Sequence, residues 1–320
     1  MRSADMGEFE LIRQFFVRQS ADTSVVLGVG DDCAVLQPVP DQQLVLSIDT
    51  LVEGTHFLPD TPPELIARRL MGAAVSDLAA MGAQPAWLTL ALTLPKADPA
   101  WLAPFADALF DCCQQWGLSL IGGDTTRGPL TVTAQVHGWV PNNEALTRGG
   151  ARPGDLVLVS GTLGDSRAGL ETLLQPQAVN ADLSYLQQRF YAPEPRLGLG
   201  QSLRGLASSC IDLSDGLVAD LGHLLNMAQC GAEIELSKLP LSPQIQRNFP
   251  APTCLEWALS GGEDFELCFT LPEAHLPLLE QQPVTVIGRI TSGSELILLH
   301  QGKPQPLTVA GFDHFAPKKA

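Results

Sequence analysis

Short β-rich runs alternate with helical ones along this chain, and that alternation confines it to the α/β class. The run LVLSID (44–49) reads as a strand. The helix after it carries clear end signals: Thr61 as N-cap, Pro62 at the first helical position, Glu64 closing a T-x-x-E capping box, and Gly82 just past Met81. A second helix opens at Asp98-Pro99 and stops at Trp116-Gly117. A strand at 118–121, a turn at GGDTT (122–126) and a strand at about 130–140 follow. The polar, turn-rich segment 141–154 marks a boundary between an N-terminal domain of 1–148 and a C-terminal domain of 149–320. Beyond it the alternation resumes. Strands are expected at 155–159, into IDLSDG, and at 232–236, 266–271, 284–290 and 295–299, with helices from Asp165 and over Leu217–Ala228.

Composition removes several classes of function. With 320 residues and 45% apolar side chains, each half can bury its own core. No run approaches the roughly 20 apolar residues that span a bilayer, and residues 1–10 lack the apolar stretch of a secretion signal, so a cytoplasmic location is expected. Seven scattered cysteines, never spaced C-x-x-C, indicate buried thiols rather than a disulfide framework or zinc site. A net charge of −16, from 35 acidic and 19 basic residues, argues against nucleic acid as a partner. It also repels phosphorylated metabolites unless cations are supplied.

The chain has no P-loop G-x-x-x-x-G-K-[ST], no H-R-D and no D-F-G. Gly28-Val29-Gly30 follows a strand, but Cys33 breaks the dinucleotide fingerprint. What it has is six acidic segments flanked by glycine or hydroxyl residues: GVGDD (28–32), SIDT (47–50), VSDLAAMG (75–82), GGDTT (122–126), IDLSDG (211–216) and SGGEDFEL (260–267). Carboxylate and hydroxyl oxygens are what magnesium prefers, alongside water and substrate phosphates. Several such segments suit ions that bridge a polyphosphate. Strand alternation sets Ser47 and Asp49 on one face and Ile48 on the other, leaving Ile48 only its carbonyl to offer. Asp77 falls inside the apolar stripe Leu70, Ala73, Ala74, Leu78, Met81, where a carboxylate is costly unless paired or metal-bound.

Each segment has a plainer reading. Gly-Asp pairs commonly make turns, Asp98 and Asp165 read as helix N-caps, and Ser214 or Asp215 could cap the next helix. Asp77 could pair with Arg68 or Arg69, His56 could be structural, and Arg148 a solvated loop charge. The joint occurrence of six acidic segments favours the metal reading.

Taken together, GVGDDCAVL, SIDTLVEGTHF, SDLAAMGAQPAWLTLALTLP, GGDTTRG, LTRGGARPGD, IDLSDGL and LSGGEDFEL resemble the thiamine-monophosphate kinase family. That family groups with aminoimidazole ribonucleotide synthetase, selenophosphate synthetase and a hydrogenase maturation factor. The resemblance runs from GEF at 7–9 to GFDHF at 311–315. It implies two α/β domains of α+β type, the N-terminal one a mixed-sheet domain that pairs in a homodimer, with ATP and several magnesium ions in the interdomain cleft. By motif, Asp32, Ser47, Asp49, Asp77, Asp124, Asp212 and Asp215 resemble metal ligands, with Ile48 contributing through its main chain. Gly123, Asp124, Arg148 and Ser214 resemble ATP contacts, and His56, Glu263 and Phe312 contacts to thiamine monophosphate. Asp49, Asp124 and Asp215 are expected to be the costliest carboxylates to remove.

The implied reaction is magnesium-dependent, in-line transfer of the ATP γ-phosphate to thiamine monophosphate, giving thiamine diphosphate without a general base. Phe312 stands where Tyr or Trp is common in the family, and Ile48 where Thr is common. Two alternatives are weighed against this. Another synthetase of the superfamily fits VEGTHF and SGGEDFEL less well. A non-catalytic binding protein would be expected to have lost acidic ligands, and here all of those expected are present.

Overall fold

The computed structural model describes residues 7–18, 22–30, 32–175 and 180–306. By its internal contacts the chain divides into two compact units, 1–78 with 83–143, and 79–82 with 144–320. The break thus falls at 143/144, a few residues before the expected 148/149. The reason is local: Leu146 is buried in the second unit's core, and the Thr147 carbonyl accepts the Cys210 N–H at 3.0 Å. Arg148 therefore belongs to the second unit.

The first unit opens with α1 (Glu8–Leu11), which runs into a π turn. Next come β1 (Val25–Leu27), β2 (Val35–Leu36), β3 (Gln42–Val52), α2 (Pro63–Ala80), β4 (Gln84–Leu94), α3 (Pro99–Trp116), β5 (Ser119–Arg127) and β6 (Thr131–Pro141). Four strands form one sheet in the order β3-β6-β4-β5, with β4 and β5 parallel and the other pairs antiparallel. Period-two alternation gives the sheet two unlike faces. Leu88, Leu90, Leu92, Val132, Ala134 and Val136 are buried on the face toward α2, which the bond from Ser47 to Asp77 marks. The opposite face carries Thr89, Gln135 and Thr133, and at the β3 edge Leu44, Leu46 and Ile48, the last two 58% and 60% exposed.

Helix ends follow local chemistry. Asp98 caps α3 by accepting the Ala100 N–H at 3.0 Å, and Gly117 closes it at φ 73°, as read from sequence. Gly82 ends α2 at φ 67° in a Schellman arrangement, with Gly82 N–H to Ala79 O and Ala83 N–H to Leu78 O. The start of α2 differs from the expected capping box. The helix begins at Pro63, and the Thr61 hydroxyl donates back to the Leu58 carbonyl at 2.7 Å. Nor is α2 merely striped: Arg69 and Ser76 are as buried as its leucines, because the helix is enclosed on most sides.

Two further departures concern the sheet. GGDTT is not a turn but part of β5, with Gly123 paired to Leu90 and Asp124 to Ala91. The expected elements also omitted β4, although its second half alternates, with Leu88, Leu90, Leu92 and Leu94 buried and Thr89, Ala91 and Thr93 more exposed.

The second unit holds β7 (Leu156–Ser160), α4 (Asp165–Leu174), α5 (Ala181–Tyr191), α6 (Leu197–Ser202), β8 (Ser209–Asp212), α7 (Leu217–Ala228), β9 (Gly231–Glu235), α8 (Pro243–Asn248), α9 (Ala251–Ser260), β10 (Leu267–Leu271), β11 (Val284–Thr291), β12 (Leu296–His300) and β13 (Lys303–Gln305). Its seven-stranded sheet has the order β13-β12-β9-β11-β7-β10-β8, mixed because β12 and β9 run parallel. Leu217, Leu221, Leu224 and Leu225 of α7 pack into its main core with Val157, Val159 and Ile211. Six cysteines are buried free thiols and Cys33 is exposed. No described helix is long and apolar enough to cross a membrane.

Candidate functional site

In the first unit, strand alternation and one helix bring three oxygen-bearing side chains together. Ser47 and Asp49 point to the α2 side of β3, and the Ser47 hydroxyl donates to Asp77 Oδ2 at 2.5 Å. Burial first, and the Asp77 charge second, push the Asp49 carboxyl up to about 6. Two carboxylates disfavouring each other's charge, beside a hydroxyl, form an oxygen set that a hard dication would relieve. Among the described residues, no three His, Cys, Asp or Glu side chains converge as a metal group. The set nevertheless fits magnesium, which is commonly held by one or two carboxylates and completes its shell with water and phosphate.

Ile48 turns its side chain away, as alternation requires. His56 Nδ1 accepts the Val52 N–H at 3.0 Å, which in the neutral ring leaves the proton on Nε2. Its carbonyl accepts from buried Arg69 at 2.7 Å, fixing the turn that carries the ring. Arg68 reaches Asp111 at 3.4 Å. Asp32 is exposed between β1 and β2.

Asp124 is not brought to this group within one chain. The register passes from Asp49 to Ala134, to Leu90, to Gly123, so three strand spacings separate the two edges, about 14 Å at ~4.8 Å each. Asp124 pairs with Ala91 and so lies on the opposite face from Asp49. Gly123 is required where it stands, because a Cβ there would lie 1.9 Å from the Leu90 carbonyl oxygen.

In the second unit, Asp212 ends β8 beside Leu267 and is 4% exposed. The chain then turns through Leu213, Ser214, Asp215 and Gly216 into α7. Neither Ser214 nor Asp215 caps that helix: Gly216 is the N-cap at φ 104°. The turn is held by Asp220, whose carboxylate accepts the N–H groups of Asp215 and Gly216, each at 3.0 Å. Burial pushes that carboxyl up to about 7. Alongside runs the acidic segment 263–266, joined by Glu263 N–H to Ser214 O at 2.8 Å, Phe265 N–H to Leu213 O at 3.0 Å and Leu213 N–H to Glu266 O at 2.8 Å. Asp212, Ser214, Asp215 and Glu263 are therefore neighbours. Arg148 is exposed on the loop anchored beside β8 by Thr147. Phe312 lies outside the described residues.

Sequence reading missed the groups that hold this half in shape. Asp220 follows Asp215 by five residues and was passed over. Glu266 is fully buried, with Arg196 on both oxygens at 2.6–2.7 Å, Arg189 at 2.8 Å and Ser160 at 2.5 Å. Burial would raise its carboxyl, but the Arg196 hydrogen bond and the two guanidinium charges hold it below the usual range. Asp165 is not an N-cap but a buried first-turn residue, accepting from Thr162, Ser242 and Tyr185. The available signal was three acids packed between Gly262 and Leu267. In so apolar a context some must be buried and paired.

Comparison with known proteins bears on the whole chain. The family model described as AIR synthase related protein, N-terminal domain, matches residues 30–140, and its C-terminal domain counterpart matches 152–301. The thiamine-monophosphate kinase of Escherichia coli (strain K12) is 51% identical, over 97% of this chain and 98% of its own. Among solved structures, a thiamine-monophosphate kinase from Stenotrophomonas maltophilia K279a is 40% identical with a TM-score of 0.83, over 87% of this chain and 92% of its own. AaThiL complexed with AMPPCP and TMP is 32% identical with a TM-score of 0.79, over 98% and 99%.

Proposed function

This chain belongs to the thiamine-monophosphate kinase family, and from that premise we propose that it moves the γ-phosphate of ATP directly onto thiamine monophosphate. The observation that carries the reading is the Ser47–Asp49–Asp77 group, an oxygen set whose charge calls for a dication. Relatives bearing the kinase name cover nearly the whole chain, and a complex with an ATP analogue and TMP shares the fold.

Magnesium would be held by Asp32, Ser47, Asp49, Asp77, Asp124, Asp212 and Asp215, with the Ile48 carbonyl. It would supply charge neutralisation of the triphosphate. Ser214, Gly123 and Arg148 would contact ATP. His56, presenting Nε2–H, and Glu263 would contact thiamine monophosphate, with Phe312 against its rings. A phosphate oxygen of thiamine monophosphate attacks the γ-phosphorus in line, while the bond to the ADP oxygen breaks. The attacking monoester is largely ionised near neutral pH, so no general base is required. The protein's part is positioning and electrostatics.

The separation of Asp49 from Asp124 favours a homodimer, in which Asp124 of one copy completes the group around Asp49 of the other. The exposed Leu44, Leu46 and Ile48 on the β3 edge give a second copy an apolar surface to cover. Location in the cytoplasm agrees with the absence of a membrane-spanning helix among the described residues.

The test is ADP release with ATP and magnesium, comparing thiamine monophosphate with thiamine and identifying the product by chromatography. Thiamine diphosphate should form only from the monophosphate, only with magnesium, and not in Asp49→Ala. Tight binding of both ligands without turnover would sink the kinase reading.

A further inference from the structure

In the segment Gly262-Glu263-Asp264-Phe265-Glu266 only Glu263 keeps a partly exposed side chain; the other two acids are buried. Gly262, Glu263 and Phe265 all have left-handed backbone, at φ 69°, 58° and 51°. For the two non-glycine residues that conformation is unfavourable unless the surroundings impose it. The surroundings here are specific. Asp264 Oδ2 accepts the Gly164 N–H at 2.6 Å, and Oδ1 accepts the Ser166 N–H at 3.1 Å. Both donors sit at the N-terminal end of α4, so the carboxylate is spent satisfying amides that have no helical partner. Arg189 holds the Asp264 carbonyl at 3.3 Å and the Glu266 carboxylate at 2.8 Å. On the other side of the segment, Glu263 N–H binds the Ser214 carbonyl at 2.8 Å.

We propose that Asp264 is a positioning residue for the reaction: by docking on the start of α4 it holds Glu263 in its left-handed conformation beside Ser214 and Asp215. The inference rests on the reading of Glu263 as a contact to thiamine monophosphate. Asp264 itself touches no substrate. Because the two residues are adjacent and both neighbours of Glu263's backbone are fixed, loss of the clamp lets the peptide relax toward ordinary φ. That swings the Glu263 side chain away from its place, whereas the Asp212–Asp215 turn stays braced independently by Asp220. The effect should therefore fall on the acceptor substrate rather than on ATP.

The experiment uses the full chain with magnesium and measures KM for both substrates in wild type, Asp264→Asn, Glu263→Ala and the double variant. Asn keeps the shape and one acceptor oxygen, so the fold is expected to survive. Asp264→Asn should raise KM for thiamine monophosphate on the order of tenfold, leaving KM for ATP within about twofold. Residues acting as one unit are non-additive, so the double variant should be no worse than Glu263→Ala alone. An unmoved KM for thiamine monophosphate, an equal rise for both substrates, or multiplying effects in the double variant would overturn the proposal. Asp264→Ser is the second variant; if neither it nor Asp264→Asn folds, Asp264 serves stability alone and the proposal is equally overturned. A wild type that does not turn over thiamine monophosphate would instead sink the kinase reading itself.

Discussion

Replacing Asp77 by Asn should stabilise the metal-free protein while crippling it as an enzyme, and the two opposite signs make the prediction specific. Asp49 sits at about 6 instead of 3.8, which at about 1.4 kcal/mol per tenfold change in proton affinity is roughly 3 kcal/mol of native-state penalty at neutral pH. Burial is the larger of the two causes and Asp77 the smaller, so removing the Asp77 charge recovers less than half, under about 1.5 kcal/mol. The Asn side-chain oxygen can still accept from Ser47, so the hydrogen bond at 2.5 Å has a replacement. A folded carboxyl raised above its unfolded value is penalised above its folded pKa and not below the unfolded one. The gain should therefore be full above pH 6 and vanish as pH falls toward 4. Thermal melts in EDTA at pH 7.5 should show Asp77→Asn a few degrees above wild type, and the two proteins should converge near pH 4. Adding magnesium and an ATP analogue should stabilise wild type more than the variant, and turnover should fall by orders of magnitude. A lower melting temperature in EDTA, or equal stabilisation by magnesium, would refute the account of Asp49 and Asp77 as a mutually repelling ligand pair.

Three further outcomes follow from the geometry. Magnesium affinity of wild type, titrated calorimetrically with an ATP analogue, should weaken as pH falls through about 6, because protonated Asp49 must lose its proton to bind; a flat profile from pH 7.5 to 5 would contradict this. Gly123→Ala should cost about 1–3 kcal/mol in urea unfolding, since its Cβ meets the Leu90 carbonyl. Gly122→Ala, with open space around its Cβ, is the control and should stay well below that cost. Finally, if one copy's Asp124 completes the other's Asp49 group, mixing inactive Asp49→Ala and Asp124→Ala proteins and allowing subunits to exchange should restore up to about a quarter of wild-type activity. No recovery despite exchange would place both residues in one chain's site.

Much of the fold could be read because its signals are local. Asp98 with Gly117, and Gly82 after α2, set helix ends through hydrogen bonds within a few residues, and such bonds leave a mark in sequence. The two failures in the first sheet have different causes. Gly122-Gly123-Asp124 carries the residues of a turn, yet Gly123 is there because a neighbouring strand leaves no room for a Cβ. Strand β4, which supplies that neighbour, does alternate over residues 88–94, its leucines buried and Thr89, Ala91 and Thr93 more exposed, so its local signal was there to be read. Crowding between strands thus disguised β5, whereas β4 was missed in spite of a legible pattern.

The site divides along the same line. Ser47, Asp49 and Asp77 were legible as a group because a strand period and a helix stripe each put a carboxylate on an inward face, where it needed a partner. The distance between Asp49 and Asp124 was not, because it depends on strand order, which no local pattern encodes. Had β5 lain beside β3 with Asp124 turned to the Asp49 face, one chain could have held both carboxylates together. With β6 and β4 between them, one chain's sheet keeps the two carboxylates apart, and the proposed homodimer would answer that separation. The acidic segment 263–266 shows the complementary limit. Its three carboxylates look alike in sequence, yet the fold leaves Glu263 partly exposed and buries the other two, Asp264 against the start of α4 and Glu266 against Arg189 and Arg196. Charge count alone would have made all three ligands, whereas burial decides that a carboxylate already satisfied by two amides or two guanidinium groups has no need of a metal.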